Sequence, residues 1–288
     1  MENNLLTTNL VESIFHNKTL DIMIEKDADF SMWKILDFNN DIAKVNVYCK
    51  QNSFSKIIVV NHQNVEVHFN IENNAELRIN FLSIEKNAQG KYEFNIQNNA
   101  KVLAAMADLS KGNIDFSATF NLKGDDSSAQ WHLATLGAEN DQKIFNINFN
   151  HFAKRTYGMM SNYGVVENNS QMHFKGISHI RHSALESKTH QSAKIMVFDA
   201  NCRAKANPIL KIDENNIEAS HAAVVGRVND EHMFYLQSRG IKEVDAKQLI
   251  TLGYLKPITK FFESDEYKNE IINGIEKRLW KWLIMINF

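Results

Sequence analysis

Cysteine and proline are nearly missing from this chain, with two of each in 288 residues. The two cysteines, Cys49 and Cys202, form no CxxC pair, which excludes a disulfide framework and argues against a structural zinc site. Glycine is sparse as well, at 11 residues. Turns that need a left-handed backbone therefore fall to asparagine, which tolerates that conformation better than other residues with a side chain. No apolar run reaches the ~18 residues of a membrane span. Met1 to Leu10 has no basic region followed by an apolar core, so no signal peptide is expected and a reducing cytoplasm is the expected compartment. Neither charge dominates: a net charge of -2 points to neither nucleic acid nor a membrane surface as partner. The nucleotide loops GxxxxGK(S/T) and GxGxxG, the nucleophile elbow GxSxG and the metalloprotease HExxH are all absent. Any ATP used by this system would bind another chain.

What is present is a string of short strands. Val65, Val67, Phe69 and Ile71 alternate with Glu66, His68, Asn70 and Glu72. Tyr92, Phe94 and Ile96 repeat the pattern, as do Ile114, Phe116, Ala118, Phe120 and Leu122, then Phe145, Ile147 and Phe149. Period two with one apolar face is the signature of a half-buried strand. Turns recur with them. Asn73-Asn74-Ala75 resembles Asn98-Asn99-Ala100, with Asp125-Asp126-Ser127 and Asn168-Asn169-Ser170 as looser copies. A polar turn and a strand repeating at a period of roughly 20–50 residues suggest a solenoid, whose coils bury their apolar faces by stacking. Regular short strands also fit an antiparallel sandwich or jelly roll. The Asn-Gly and Asp-Gly hairpin turns are absent from this stretch, so a right-handed parallel β-helix is the expected fold.

The pattern changes after residue 228. Asn229 is placed to cap a helix through Met233 and Leu236, ending at Gly240. A second helix is expected from Lys242 to Leu252, with Gly253 just past it and Pro257 barring continuation. A third begins after Ser264, with Tyr267, Ile271, Ile275, Leu279, Trp282 and Ile286 at helical spacing. The expected organisation is a short helical or irregular cap over 1–40, a β-helix core over 41–228 and a small α-helical domain over 229–288.

Few residues stand out for chemistry. His179 and His182 form HxxH, but residues three apart on a strand face opposite ways, so two surface histidines is the better reading. Cys49 and Cys202 lack the basic surroundings of an activated thiolate and read as inert. The basic cluster Lys277, Arg278 and Lys281 on the last helix is offset by Glu266, Glu270 and Glu276, which favours packing over a membrane surface. The helices around Gly240 mimic a helix-turn-helix, but Glu243 and Asp245 at the start of the second would repel phosphate. His221 closes the strand region; an isolated histidine there reads first as structural, with a neutral imidazole as a borderline iron ligand the alternative.

Several runs taken together resemble a known family. They are Phe174-Lys175-Gly176-Ile177, Pro208-Ile209-Leu210-Lys211-Ile212, Ser220-His221-Ala222-Ala223-Val224-Val225-Gly226 and Phe234-Tyr235-Leu236-Gln237-Ser238-Arg239-Gly240-Ile241. Over roughly residues 170–258 the chain is similar to the SufB/SufD family of iron–sulfur cluster assembly proteins, and most like SufD. The resemblance implies a parallel β-helix with a helical C-terminal domain. It implies pairing with a SufB-like subunit through the β-helix ends and docking of a SufC-like ATPase on the helices. His221 would then be a ligand for iron or a nascent cluster at the shared interface. Phe234, Tyr235, Arg239 and Leu249 mark the candidate docking region. No cofactor is expected to be bound stably by this chain alone; iron or a transient iron–sulfur cluster would be shared with SufB.

The departures point the same way. Counting from His221 without gaps, the SufB cysteine position falls near Ala193, and Cys202 falls at a second cysteine position of SufB. SufB's acidic residue after the histidine is Ala222 here. Ala219 stands where many SufD chains carry a cysteine. The chain is also short for the family, as if its N-terminal helical region were reduced. The expected function is a non-catalytic scaffold. A β-helical polysaccharide-active enzyme and a SufB/SufD-like homodimeric scaffold are the alternatives; the first would need charged groups clustered on one coil face.

Overall fold

A computed structural model describes residues 11–16, 18–25, 29–37, 42–60, 65–84, 89–228 and 230–285. In chain order the strands are β1 (Val11–His16), β2 (Thr19–Ile24), β3 (Asp29–Asp37), β4 (Lys44–Cys49), β5 (Phe54–Val60), β6 (Val65–Ile71), β7 (Glu76–Ser83), β8 (Gln89–Ile96) and β9 (Lys101–Asp108). They continue as β10 (Asn113–Leu122), β11 (Ser128–Gly137), β12 (Gln142–His151), β13 (Tyr157–Val166), β14 (Gln171–Ile180), β15 (Lys188–Val197), β16 (Arg203–Ile212) and β17 (Glu218–Arg227). Helices α1 (Asp230–Ser238), α2 (Glu243–Leu255) and α3 (Asp265–Met285) follow, with a 3₁₀ turn at Lys256–Phe261 before the last.

The chain alternates between two sheets. One holds β1 and the even strands in order, and the other holds the odd strands from β3 to β17. Every pairing is parallel except β1 with β2. Strand n therefore pairs with strand n+2, and each coil supplies one strand to each sheet. This is a parallel β-helix, as the turn-and-strand repeat predicts, and not an antiparallel sandwich.

Stacking in exact register puts like on like. Phe69, Phe94, Phe120 and Phe149 occupy equivalent positions on four successive coils. Their rings stack at centroid distances of 4.8, 4.6 and 4.7 Å inside the solenoid. Each aromatic pair contributes about 0.5–1.5 kcal/mol beyond its burial. Trp131 fills the interior beside them and donates to Oδ1 of Asn162 at 2.9 Å.

The corners explain the asparagines. At the corners leading into the odd strands β5 to β15, Asn52, Asn74, Asn99, Asp126, Arg155 and Glu186 all have φ between 54 and 62°. Side chains tie these corners together from coil to coil. Asn74 Nδ2 donates to Asn52 Oδ1 at 3.1 Å, and the Asn98, Asp125 and Lys154 amides donate to Asn73, Asn98 and Asp125 Oδ1. Asn168 does not belong to this series. It lies with Glu139 at the opposite corner, which leads into the even strands. The repeat assigned to it from the sequence joins two different turns.

The two sheets differ on their outer faces. The even strands from β2 to β14 alternate buried with more exposed residues, while β7, β9 and β11 bury long continuous runs. Outward-facing Leu82, Ala105, Ala107, Ala134, Leu136 and Val165 pack against Leu255, Ile258, Phe262, Ile271, Ile275 and Leu279 of the helical region. The alanines let the helices approach closely. An added Cβ on Gly274 of α3 would stand 2.6 Å from Leu109 Cδ1.

Two expectations need adjustment. Where a helical or irregular cap is expected over 1–40, the described residues form β1, β2 and β3. Leu20, Ile22 and Ile24 alternate inward and stack on Val45, Val47 and Cys49, so strand stacking wins over any local helical tendency. The second helix runs through Gly253 to Leu255, because burial of Leu255 anchors its last turn; it stops short of Pro257, as expected, and Pro257 lies at the start of a 3₁₀ turn. Arg278, in the basic cluster whose acidic neighbours favour packing, is buried and bonded to Asp141. Asn229 and Ile286, assigned to a cap and to the α3 stripe, lie outside the described residues. Gly240 ends α1 with φ 83°, as its place after the helix implies.

Candidate functional site

The last coil is open. β17 is the edge of its sheet and β16 the edge of the other. Burial falls away there: β15 alternates buried and partly exposed residues, whereas β17 is exposed along nearly its whole length. His221 sits in the middle of β17, in register with Gln191. On β15 the buried residues are Thr189, Gln191, Ala193 and Ile195, and their register partners are Ala219, His221, Ala223 and Val225. His221 therefore belongs to the row that points into the solenoid, and it is exposed because no further coil stacks over it. It has no hydrogen-bond or ion-pair partner among the described residues.

The coil beneath is polar inside. Gln191 is buried, and its Nε2 donates to Ser178 Oγ at 2.7 Å and to the Ile209 carbonyl at 3.1 Å. Thr189 Oγ1 donates to the same Ser178 oxygen at 2.9 Å. On the outer side of the coil, Ser220 Oγ lies 2.8 Å from His190 Nδ1. The apolar edge is also uncovered: Val224 is 57% and Val225 44% exposed.

Neither cysteine joins this edge. Cys49 is fully buried, which pushes its thiol up to about 12. Cys202 lies in the corner between β15 and β16, half-buried, with Sγ 3.5 Å from the Asn168 carbonyl and its thiol raised by burial. Ala193 is buried in the row beneath His221 and faces Ala223 in register. His179 is held by Asp213 at 2.6 Å, and His182 lies on the following turn, as surface histidines. Among the described residues, no three His, Cys, Asp or Glu side chains converge to hold a metal ion.

The docking candidates fall on the small helical annex that follows. Phe234 is 72% and Tyr235 55% exposed on α1, and Arg239 lies over the Tyr235 ring at 4.8 Å. Leu249 is exposed on α2, while Ala246, Thr251 and Leu255 of the same helix are buried. Among the described residues no helix is long and apolar enough to cross a membrane.

Sequence reasoning passed over a second set of polar residues. Lys143 is fully buried; its Nζ donates to the Ser110 carbonyl at 2.7 Å and lies 3.2 Å from Asp108 Oδ2. It shares inward parity with Phe145, Ile147 and Phe149, and a lysine in that row was the available signal. Asp108, Asp141, Glu167 and Asp199 occupy successive corners along one side of the solenoid, where the helices supply Arg278 and Lys247.

The chain is thus an open-ended parallel β-helix carrying a small helical annex, with His221 unpartnered among the described residues on its terminal strand. Comparison with known proteins gives the family. Residues 40–254 match the family described as SUF system FeS cluster assembly, SufBD core domain, and the chain belongs to it. It is 30% identical to the iron–sulfur cluster assembly protein SufD of Bacillus subtilis over 180 residues, covering 62% of this chain and 41% of that protein. Identity to the SufD of Escherichia coli is 27% over 115 residues, 40% of this chain and 27% of that protein. Identity to the B. subtilis SufB is 25% over 139 residues, 48% of this chain and 30% of that protein. The chain thus aligns with less than half the length of each of these relatives.

Proposed function

We propose that this chain is a SufD-like, non-catalytic scaffold subunit of a cytoplasmic SUF iron–sulfur cluster assembly complex. It pairs with a SufB-like subunit and docks a SufC-like ATPase. The observation that carries the reading is His221: an unpartnered imidazole on an open edge strand, in a row that would otherwise be covered by a further coil. A single imidazole is too few ligands for iron. The others come from the partner, so iron or the nascent cluster is shared cargo held while the subunits are joined. Unpaired strand edges are a liability that proteins cover, and exposed Val224 and Val225 give a partner apolar surface there. ATP hydrolysis falls to the other chain, which meets Phe234, Tyr235, Arg239 and Leu249 on the annex.

Co-expression with the SufB-like and SufC-like chains of the same organism tests the partners: a stable ternary complex is expected, and its absence ends the proposal. His221→Ala should abolish cluster formation in that complex and leave assembly intact. Normal cluster yield in the variant would return His221 to a structural role. Two copies of this chain could also meet through the same open edges, and the mass of the isolated protein separates that homodimer from an obligate heterodimer.

A further inference from the structure

Over much of its exterior the β-helix stacks opposite charges from coil to coil. Lys50 meets Glu72 at 2.9 Å, Lys91 meets Glu66 at 3.0 Å and Arg155 meets Asp126 at 2.7 Å. Lys188 meets Glu218 at 2.8 Å and His179 meets Asp213 at 2.6 Å. One patch breaks the pattern. On the outer face of β14 and β16, His173 stands beside Lys205, Gln171 beside Arg203 and Lys175 beside Asn207. The rows continue through Gln142, Ile144 and Asn146 of β12 to Asn113, Asp115 and Ser117 of β10. Across these four strands the rows hold a single carboxylate, Asp115, two strands from His173 and behind Ile144. Lys175, Arg203 and Lys205 make no ion pair among the described residues. The Nε2 atom of His173 is buried without a hydrogen-bond partner.

Like charges placed side by side in a sheet are destabilising, and this chain avoids them at the pairs named above. Over the patch lies a groove of about 290 Å³, lined among others by Gln142, Gln171, His173, Arg203 and Lys205. We propose that this groove binds an oxyanion of the phosphate class, free or as a monoester. The Arg203 guanidinium offers a planar fork of donors suited to two oxygens of one phosphate, and Lys205 adds a mobile point charge. His173 and the amides of Gln142 and Gln171, which line the groove, supply directed donors. The volume suits a small anion with a modest substituent more than a folded partner element. The site lies on the outer face of the even sheet and does not depend on the role assigned to His221.

The test is a titration of the full chain with inorganic phosphate at low ionic strength, followed through the histidine ring resonances. Burial and the neighbouring Lys205 and Lys175 hold His173 below its usual range. A bound anion offsets those lysines, so a saturable shift and an upward move of the His173 titration midpoint are expected. The exposed double variant Arg203→Ala/Lys205→Ala should weaken phosphate by about tenfold or more, with its melting temperature checking the fold. Adenosine monophosphate forms a second arm: tighter binding than phosphate assigns a phosphomonoester, and equal binding assigns the free anion. No saturable shift with either ligand, or an unchanged affinity in the double variant, overturns the assignment. A shift produced by a polyglutamate peptide but not by phosphate overturns it in favour of an acidic protein segment.

Discussion

Arg278 of the last helix donates from Nη2 to Oδ2 of Asp141 in a corner of the β-helix, and both side chains are buried. The corner is shaped to hold that carboxylate: the Gly112 amide donates to its Oδ1 at 2.6 Å and the Ala138 amide to its Oδ2 at 3.0 Å. The pair pins α3 to the solenoid. Removing one member strands a charge, so Arg278→Ala is expected to cost about 3–5 kcal/mol in urea unfolding. Adding Asp141→Asn should recover part of that loss by removing the orphaned charge. A loss below about 1 kcal/mol, the range of exposed ion pairs, would mean that the pair does not anchor the helix.

Glu167 lies in the next corner and forms no ion pair among the described residues. Burial lifts its carboxyl from the ordinary 4.5 to about 7; Asp199 and Asp141 add to the rise, while Lys247 and Arg278 oppose it. Between those two values the folded chain holds a proton that the unfolded chain has released. Stability from this group therefore falls as pH rises from about 4.5 to about 7, and the full cost is present above that. Glu167→Gln should be more stable than the parent at pH 8, by an amount on the order of 1–3 kcal/mol. The advantage should shrink toward pH 4.5. Unfolding curves at the two pH values decide it, and an advantage that does not change with pH would refute the assignment.

Sequence periodicity carries the fold a long way because a β-helix repeats one local rule. Alternation marks the even strands, and the interior positions Phe69, Phe94, Phe120 and Phe149 are each apolar beats of a period-two pattern. The repeat itself is blurred because the coil grows. Corner-to-corner hydrogen bonds span 22 residues at Asn52, 25 at Asn73, 27 at Asn98, 29 at Asp125 and 31 at Thr156. A fixed-period reading of such a series drifts, and that is how Asn168 is assigned to the wrong corner. Arg155 and Glu186, left-handed residues at the true corner, carry no turn signal in their identity; neighbouring coils impose their backbone.

The candidate site divides in the same way. His221 and the aromatic pair Phe234 and Tyr235 are legible through family resemblance and ordinary chain order. That His221 belongs to an inward row left open by the end of the solenoid is a property of strand pairing with Gln191, 30 residues earlier in the chain. The acidic corners are harder still. Asp108, Asp141, Glu167 and Asp199 look like solvated turn residues until the helices close over them, and Arg278 looks like one of several surface cations.

Gly274 shows a local rule overturned by packing. A glycine inside α3 costs about 1 kcal/mol relative to alanine, yet an alanine Cβ would stand 2.6 Å from Leu109 Cδ1, and Leu109 is buried under the helix. Overpacking of this kind costs about 1–3 kcal/mol, so Gly274→Ala should be neutral to destabilising in the native background. Leu109→Ala alone should cost about 2–5 kcal/mol through the cavity it leaves. In that background the obstacle is gone and the helical preference of alanine is felt, so adding Gly274→Ala should stabilise by about 1 kcal/mol. The sign change across the double-mutant cycle is the measurement. Equal effects in both backgrounds would mean that α3 does not press on Leu109 at this glycine.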